Sequence, residues 1–176
     1  IEGIPPSDAK GLYGGSVGED NSGIIKYVSI RHGGTDIGEG NEINGLTLGG
    51  VGRKTIIDHV EIISNSDDGL EVFGGTVNLS NIAVAFCGDD AFDFDEGYRG
   101  KCQFLLGILD NEAGDHVAEH TGNPYPGIST FYSLPKIYNC TFIGDLENHD
   151  NHLISFEKGS GGIYKNCLFL NNETGI

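Results

Sequence analysis

The segment 56–100 contains one short unit written twice, and this repeat constrains the fold more than any other feature of the chain. The string HVEI at 59–62 aligns with NIAV at 81–84, and DDGLEV at 67–72 aligns with DDAFDF at 89–94, both at an offset of 22 residues. Units of this length with alternating, β-branched apolar residues are typical of the coils of a solenoid. The sequence therefore predicts a stack of coils built from short strands.

The same unit recurs on both sides of this segment. The string NGLTLGG at 44–50 restates DGLEVFGG at 68–75, and YNCTFI at 138–143 and KNCLFL at 165–170 bring the period back 27 residues apart. No segment carries apolar residues at helical spacing for more than a turn, and parallel coils of this length need no helical crossovers. We expect an all-β, right-handed single-stranded parallel β-helix of about five to six coils, forming one domain over residues 1–176.

Two segments do not follow the period. Residues 1–15 contain a proline pair and a turn signal, so we expect an edge segment that packs laterally against the solenoid. Residues 110–130 form a long polar stretch, which predicts a loop excursion away from the solenoid. The chain shows no initiating Met and no signal peptide and begins and ends within the pattern, so we expect a mature or truncated piece of a longer protein.

The charge balance restricts the partners. The chain has 10 Lys and Arg against 26 Asp and Glu, a formal net charge of −16. A nucleic-acid partner is not expected, because its phosphates require a basic surface that displaces counterions. Cations are the expected partners. No apolar run approaches the roughly 20 residues that span a bilayer, so no membrane span is expected.

Four cysteines show no CxxC spacing, which argues against a zinc knuckle or a thioredoxin-like redox site. Cys140 and Cys167 occupy equivalent positions of two coils, and we expect stacked, inward-facing thiols. A disulfide between them is the alternative, because neighbouring strands lie roughly 4.8 Å apart and a bridge tolerates Cα separations of about 4.4 to 6.8 Å.

A second column of equivalent residues runs through the repeats. Its members occupy one turn position of successive coils and are His59, Asn81, Asn139 and Asn166. Side chains at equivalent positions of a parallel stack lie about one strand spacing apart. We therefore expect the Asn amides to form hydrogen bonds along the stack as well as to the turn backbone.

The strongest chemical signal is a ladder of carboxylates contributed by two coils in register. Its members are Asp67, Asp68, Glu71, Asp89, Asp90, Asp93, Asp95 and Glu96. If Leu70 and Val72 point inward, Glu71 points outward and stacks on Asp93. Like charges about 5 Å apart repel by roughly 1 to 3 kcal/mol, so this arrangement predicts a bound cation or raised pKa values. Calcium is the natural candidate, because it accepts six to eight oxygen ligands in loose geometry.

Three strings carry a resemblance to a known family. They are NEINGLTLGGVG, SDDGLEVFGGTVN and GDDAFDFDEGYRGKCQF, and the match extends over nearly the whole chain from IEGIPPSDAKGLYGG onward. The chain resembles the pectate-lyase-like β-helix domains of large secreted bacterial proteins, and more widely the pectate lyases and related polysaccharide-active β-helices. The resemblance implies the solenoid fold and an extracellular or bacterial cell-surface location. It does not imply a reaction, because one fold hosts many functions.

The resemblance also implies a ligand set. DDAFD, preceded one coil earlier by Asp67-Asp68, is similar to the acidic cluster that holds calcium in one class of β-helical pectate lyases. On that similarity the ligands would be Asp67, Asp89, Asp90 and Asp93, with Asp68 as the alternative to Asp67. The competing interpretation is that Asp68 and Asp90 accept hydrogen bonds from turn amides while the remaining carboxylates form a solvated face.

Candidate catalytic residues are weakly specified. A lyase needs a base that removes the proton α to a uronate carboxylate, and Arg99 and Lys101 are the nearest cations in sequence. In the calcium-dependent class that the chain resembles, a lysine arrives on a later coil in its own motif. Lys136 and Lys158 match that motif poorly. A hydrolase would instead use two carboxylates of the ladder. Any ladder of this kind could supply such a pair by chance, so the pattern does not indicate a hydrolase.

The polar stretch 110–130 includes two histidines. His116 and His120 are four residues apart and would suit a metal ion if this segment were helical. The segment has no HExxH motif, and Gly114, Gly122 and Pro124 interrupt it. A solvated polar loop is therefore the expected structure, although loops that leave a rigid scaffold often carry recognition.

Together these observations favour a non-catalytic, secreted or cell-surface β-helix module. It would act as a rigid rod for adhesion or glycan binding, stabilised by calcium and presenting its acidic face and its loop. The expected partner is an acidic or surface polysaccharide, or a protein of the cell surface. The rival hypothesis is a calcium-dependent polysaccharide lyase or a glycoside hydrolase that acts on acidic polysaccharide at the same face.

Overall fold

The fold was analysed in a computed structural model that describes residues 4, 8–38, 41–122, 132–145 and 152–171. Its only helical turn in these ranges is a 3-10 segment at Ala9–Gly11, and the rest of the regular structure is β. The strands are β1 Ile24–Arg31, β2 Asp36–Gly38, β3 Asn41–Glu42, β4 Leu46–Gly49, β5 Ile56–Ile63, β6 Leu70–Phe73, β7 Asn78–Ala85, β8 Phe92–Asp95, β9 Lys101–Ile108, β10 Ala118–Thr121, β11 Lys136–Tyr138, β12 Thr141–Ile143, β13 Ile154–Glu157, β14 Ile163–Lys165 and β15 Leu168–Leu170.

Two parallel sheets share almost all of these strands, and the chain visits them alternately. The first sheet runs β1-β5-β7-β9 and continues with the pairs β11/β12 and β14/β15, while the second sheet runs β4-β6-β8-β10-β13. The described residues thus form five turns with a strand in each sheet and begin a sixth. This arrangement confirms the parallel β-helix and its number of coils. The right-handed sense stays a prediction.

The first sheet bends in the middle of each long strand. Tyr27, His59, Asn81 and Phe104 have φ values of 55°, 54°, 55° and 59°, and Asn139 and Asn166 take the same conformation in the last two coils. A left-handed residue bends the strand locally, and Asn and His adopt this conformation more readily than most residues. The predicted column is therefore the corner of every coil. Its amide ladder forms between Asn166 and Asn139, whereas Asn81 donates to Asp58 Oδ1 at 2.9 Å.

The interior is filled by columns of apolar side chains from both sheets. Val72 and Phe94 are fully buried in the second sheet, and Phe94 lies 5.5 Å from Tyr98 and 6.2 Å from Phe92, measured between ring centroids. His120 follows Phe94 in the same inward column and is also fully buried. Its ring stacks against Phe156 at 4.8 Å. Stacked rungs thus bury one continuous core.

The segment 110–130 is not one continuous loop, so this prediction was wrong for its centre. Ala118–Thr121 forms strand β10, which pairs in parallel with β8 on one side and β13 on the other. The helical alternative for His116 and His120 is wrong for the same reason, because His120 lies in a strand and points into the core. Residues 110–117 contain no helix or strand, as predicted for a loop, and residues 123–130 lie outside the described residues.

The N-terminal segment, residues 8–23 of the described chain, packs beside the coils. The contact of Gly14 with Gly50 agrees with the edge segment predicted over residues 1–15, of which residues 1–3 and 5–7 lie outside the described residues. Thr76 Oγ1 donates a hydrogen bond to the Gly18 carbonyl at 2.6 Å, and Arg53 N donates to the same carbonyl at 3.0 Å. Gly50, at φ 59°, approaches Gly14 so closely that an added Cβ would lie 2.4 Å from the Gly14 Cα. Glycine is required there both by the left-handed conformation and by the lack of space.

All four cysteines are free thiols, and Cys140 is buried while Cys167 is partly exposed. The two thiols stack on neighbouring coils, where the Leu168 amide donates to the Cys140 carbonyl at 2.9 Å. This outcome agrees with the prediction of stacked thiols rather than a disulfide. In the described part of the chain, no helix has the length and apolar character needed to cross a bilayer.

Candidate metal centre

The acidic residues predicted to stack do lie in vertical file along the second sheet. Glu71 pairs in register with Asp93, and Asp93 pairs in register with Glu119 of β10. A neighbouring column precedes the strands, where the Gly69 amide donates to the Asp90 carbonyl and the Ala91 amide donates to the His116 carbonyl, at 2.9 and 3.0 Å. Because a parallel stack repeats at one strand spacing, four coils contribute side chains to one strip.

Two aspartates of this strip hold the turns of the next coil. Asp68 Oδ1 accepts a hydrogen bond from the Asp90 amide at 3.0 Å, and Asp90 Oδ1 accepts one from the His116 amide at 2.7 Å. This confirms the turn-amide interpretation for both residues. It does not exclude their use as ligands, because each carboxylate oxygen has more than one lone pair and the second oxygen is separate.

The other half of that interpretation, a solvated acidic face, is wrong for three buried carboxylates and holds for Asp89 and Glu96, which are exposed. Asp67, Glu71 and Asp93 are only 6%, 5% and 9% exposed, although Glu71 and Asp93 point away from the apolar core. Asp89 remains exposed. The strip is therefore a partly enclosed groove of carboxylates, in which like charges are held together with little water to screen them.

Burial and mutual repulsion raise the pKa values across the strip. The pKa values of Asp68 and Asp93 lie well above the usual range, and burial is the largest cause of both shifts. The charge of Asp90 further raises the pKa of Asp68, and the charge of Asp95 further raises the pKa of Asp93. Burial also raises the pKa of Asp90 to about 7, although the hydrogen bond and charge of His116 oppose it. Asp95 likewise rises to a pKa of about 7 through burial and the charge of Glu119. Neutralisation of these carboxyls, by protons or by a cation, would relieve the burial and repulsion that raise their pKa values.

Several oxygens in the strip have no hydrogen-bond partner. They are buried side-chain atoms of the second-sheet coils, namely Asn44 Oδ1, Asp93 Oδ1 and Asp95 Oδ1. A buried acceptor without a donor costs roughly 1–3 kcal/mol. A cation that these oxygens coordinate would remove that cost.

Among the described residues, the carboxylates and one histidine form four groups in which the ligand atoms lie within 4.8 Å of one another. Three groups contain only oxygen donors, and they are Asp67/Asp68/Asp89, Asp68/Glu71/Asp93 and Asp89/Asp90/Asp115. All five predicted metal ligands belong to them. The oxygen-only donor set and its loose spacing fit calcium, which binds oxygens at about 2.3–2.6 Å.

Sequence reasoning missed three members of the strip. The fourth group contains Asp90, His116 and Glu119, and Asp115 joins the third. A signal was present, because DHVA at 115–118 repeats the pattern of DDAF at 89–92, with two polar residues before the strand. The residues around this string are polar, so the strand that follows it was predicted as part of a loop and not as part of another coil.

The candidate catalytic cations lie outside these groups. Lys101 begins β9 in the first sheet and pairs with Lys136, and Arg99 lies in the preceding turn, where its amide donates to the Gly75 carbonyl at 3.1 Å. Arg99 also lines a groove of 630 Å³ between that turn and the N-terminal segment. A different lysine acts on the strip, since the charge of Lys158 lowers the pKa of Asp95 against the larger effect of burial.

Comparison with known proteins gives one finding. A family model described as a pectate-lyase-like β-helix domain matches residues 6–176, which is nearly the whole chain. Comparison with curated proteins found no match, and neither did comparison with solved structures. The match accounts for the stacked coils. It does not identify the chemistry of the acidic strip, because one fold hosts many functions.

Proposed function

The chain belongs to the family of pectate-lyase-like β-helix domains, and on that premise we propose that it is a non-catalytic, secreted or cell-surface module that binds acidic polysaccharide through calcium. The ion would be held by Asp68, Glu71 and Asp93, or by Asp67, Asp68 and Asp89, which are two oxygen-only groups that share Asp68. The coils supply a rigid support, so the ligands keep their positions whether or not the ion is bound.

One observation carries the calcium part of this proposal. Asp93 Oδ1 is buried without a hydrogen-bond partner, and its side chain belongs to a group with Asp68 and Glu71 in which the ligand atoms lie within 4.8 Å. Three buried carboxyls at this spacing are unfavourable on their own, because burial and repulsion penalise the charged forms. A divalent cation neutralises two charges and supplies the missing partner.

The polysaccharide part follows from charge. A chain with a net charge of −16 repels an acidic glycan unless a cation lies between them. Calcium in the strip keeps free coordination positions, since it accepts six to eight ligands and each group offers three protein oxygens. Uronate carboxylates could occupy those positions, so that binding of the glycan requires the ion.

The first test measures calcium binding through stability. Chelator-treated protein is melted with and without excess calcium, since a ligand that binds only the folded state raises the melting temperature. We expect an increase of several degrees for the wild type and none for Asp93→Asn. Asp58→Asn, on the opposite sheet, is the matched control and should retain the full increase. A wild type that melts identically in calcium and in EDTA would remove the ion from the proposal.

The second test concerns the glycan. Polygalacturonate is mixed with the protein in calcium and in EDTA, and the bound fraction is measured by co-sedimentation. Binding in calcium that EDTA abolishes supports the module, whereas equal binding in both, or none in calcium, contradicts calcium bridging. The same mixtures are monitored for the ultraviolet absorbance of unsaturated uronates, which would appear only if the chain cleaves the glycan.

A lyase is the second candidate, and Lys158 is the observation that favours it. This lysine follows β13 on a later coil than Asp93, at φ 47°, and its charge reaches Asp95. Calcium would neutralise the developing enolate while a lysine accepts the α proton. If unsaturated products form, Lys158→Ala should abolish them and Lys165→Ala should not. An equal rate in both variants would exclude Lys158 as the base.

A further inference from the structure

One group in the strip differs from the others because it contains an imidazole. His116 Nδ1 lies 3.1 Å from Asp90 Oδ1 and 3.8 Å from Glu119 Oε2. We propose that Asp90, His116 and Glu119 form a second metal site, which binds a transition-metal ion of the Zn²⁺ type in preference to Ca²⁺. This proposal goes beyond the calcium module, and none of its three protein ligands is among the calcium ligands proposed there.

The spacing of the ligand atoms suits a small ion. Tetrahedral zinc with bonds of about 2.0–2.2 Å separates its ligand atoms by roughly 3.3–3.6 Å. The two measured separations, 3.1 and 3.8 Å, lie on either side of that interval. Small torsional adjustments, chiefly of the partly exposed Glu119 side chain, would move the ligand atoms by the few tenths of an ångström that are needed.

The ligands are already oriented by hydrogen bonds. The His116 amide donates to Asp90 Oδ1 at 2.7 Å and fixes that buried carboxylate against the turn. Thr121 Oγ1 donates to Glu119 Oε1 at 2.6 Å, and it is the other oxygen, Oε2, that faces His116. Hydrogen bonds of this kind hold metal ligands in position and are as characteristic of metal sites as the ligands themselves.

A separate observation also points to a ligand. Asp93 is in register with Glu119 on the same outward face, it is more than nine-tenths buried, and its Oδ1 has no partner. Three protein ligands leave a fourth position on the ion for water, and a metal-bound water is a strong hydrogen-bond donor. In the calcium-free protein Asp93 Oδ1 would accept a hydrogen bond from that water, whereas in the calcium-loaded protein the same oxygen would bind calcium. The half-exposed side chain of Asp115, 3.4 Å from His116 Nδ1, marks the side open to solvent.

The nitrogen donor decides the class of metal. Imidazole is a good ligand for zinc, copper, nickel and iron, whereas calcium and magnesium are bound by oxygens. In the apo protein one proton is shared in the hydrogen bond between His116 Nδ1 and Asp90 Oδ1, which are 3.1 Å apart. On binding, that proton is released to solvent and the lone pair of Nδ1 forms the bond to the metal.

The test is calorimetric titration of chelator-stripped protein with zinc chloride and, separately, with calcium chloride. We expect wild-type protein to bind zinc at one strong site, and His116→Ala to weaken zinc by at least about tenfold, while calcium binding is unchanged. His59→Ala is the matched control, because His59 Nδ1 also contacts an aspartate, Asp58, at 2.8 Å but belongs to no group of three potential ligands among the described residues. Its zinc affinity should equal that of the wild type.

Two further measurements keep the outcome decisive. Cobalt substitution should give a visible absorption band that His116→Ala loses and Glu119→Gln weakens, and circular dichroism of both variants shows whether they fold. Asp93→Asn should lose calcium binding but keep most of its zinc affinity, so the two proposals can fail separately. Equal zinc affinity in wild type and His116→Ala, or no zinc binding by the wild type, would overturn the second site.

Discussion

The outward carboxylates of the two sheets occupy equivalent positions in parallel ladders, yet their environments are opposite. In the first sheet Asp58 contacts Lys26 at 2.9 Å and Glu61 pairs with Arg31. Hydrogen bonds from Asn81 and Lys26 lower the pKa of Asp58 to about 2. In the second sheet Asp93 is buried, and burial with the charge of Asp95 raises its pKa well above the usual range.

The difference shows what a ladder of like side chains requires. On the first sheet Asp58 and Glu61 each pair with a cation of the neighbouring strand β1, as in cross-strand pairs of opposite charge. On the second sheet the rungs repeat the same charge. Such an arrangement costs stability unless something else neutralises it, and a surface that is costly to fold is a candidate for binding.

The largest expected effect comes from disturbing the stacking on which both ladders depend. Gly69 adjoins Asp68, and a Cβ there would lie 2.1 Å from Val84 Cγ1 and 2.8 Å from the Ala91 carbonyl. Gly69→Ala should destabilise the fold by about 3 kcal/mol, which lowers the melting temperature by about 6–12 °C. Gly15→Ala is the control, since nothing lies within 4 Å of its Cβ. Similar melting of both variants would contradict close stacking at this corner.

The second prediction uses pH to separate the sheets. Asp90 and Asp95 have pKa values near 7 in the folded state, above the ordinary value of 3.8, so the folded state binds protons more tightly than the unfolded state. Their stabilising effect is complete below about pH 4 and is lost as the pH rises through about 7. Without cations, the melting temperature should fall by roughly 5–10 °C between pH 5 and 7.5.

The first sheet responds in the opposite sense. Because the pKa of Asp58 is lowered, its stabilising effect is present above about pH 4 and is lost as the pH falls through about 2. Saturating calcium should reduce the decrease in melting temperature between pH 5 and 7.5. It should not change the decrease expected at acid pH, where Asp58 becomes protonated. If the melting temperature of chelator-treated protein is constant from pH 5 to 7.5, the pKa values of the buried carboxyls are not raised.

A smaller effect is expected from Asp93→Asn in the absence of cations. Replacing a buried, repelled carboxyl with a neutral amide of the same shape removes part of the repulsion. We expect the melting temperature at pH 7.5 to rise by about 2–4 °C, corresponding to about 1 kcal/mol. A decrease in the melting temperature would mean that the Asp93 carboxyl makes favourable contacts in the absence of cations.

The smallest effect is expected from Asp58→Asn on the first sheet. Its partner Lys26 is exposed, and exposed ion pairs contribute little after screening. The melting temperature at pH 7.5 should decrease slightly, in the opposite direction to Asp93→Asn, and the decrease should vanish at 1 M salt. An effect as large as that of Gly69→Ala would contradict the view of Asp58 as a surface partner.

The fold could be predicted because its main determinant is a local pattern. The repeats at 44–50, 67–72 and 89–94 place glycine and alternating apolar residues at equivalent positions, and β4, β6 and β8 occupy these strings. The coil at 118–121 was missed because AEHT reads as polar. There His120 takes a core position between Phe94 and Phe156 and donates to or accepts from the Tyr164 hydroxyl at 2.6 Å. A single sequence gives no sign that a histidine has this partner.

The sequence predicted which acidic residues of the candidate site stack on one another, but not how deeply they are buried. Stacking of Glu71 on Asp93 follows from the period alone, and the structure confirms it. The enclosure does not follow, because it depends on segments distant in sequence. Tyr13 of the N-terminal segment donates to Glu96 at 3.1 Å, and the Ile43 carbonyl near the β2-β3 hairpin accepts from Asn65 at 2.9 Å.

By itself, the sequence determined that this protein is a stack of β coils with acidic corners in file, because the two-residue alternation and the repeat length leave few other ways to bury the apolar residues. Only the tertiary structure decided which carboxylates are neutralised and which are not. Pairing with Lys26, burial beside Asp95 and the approach of His116 to Asp90 all arise between coils or between distant segments. The charge state of a side chain is set by what surrounds it in space, and a linear pattern does not specify those surroundings.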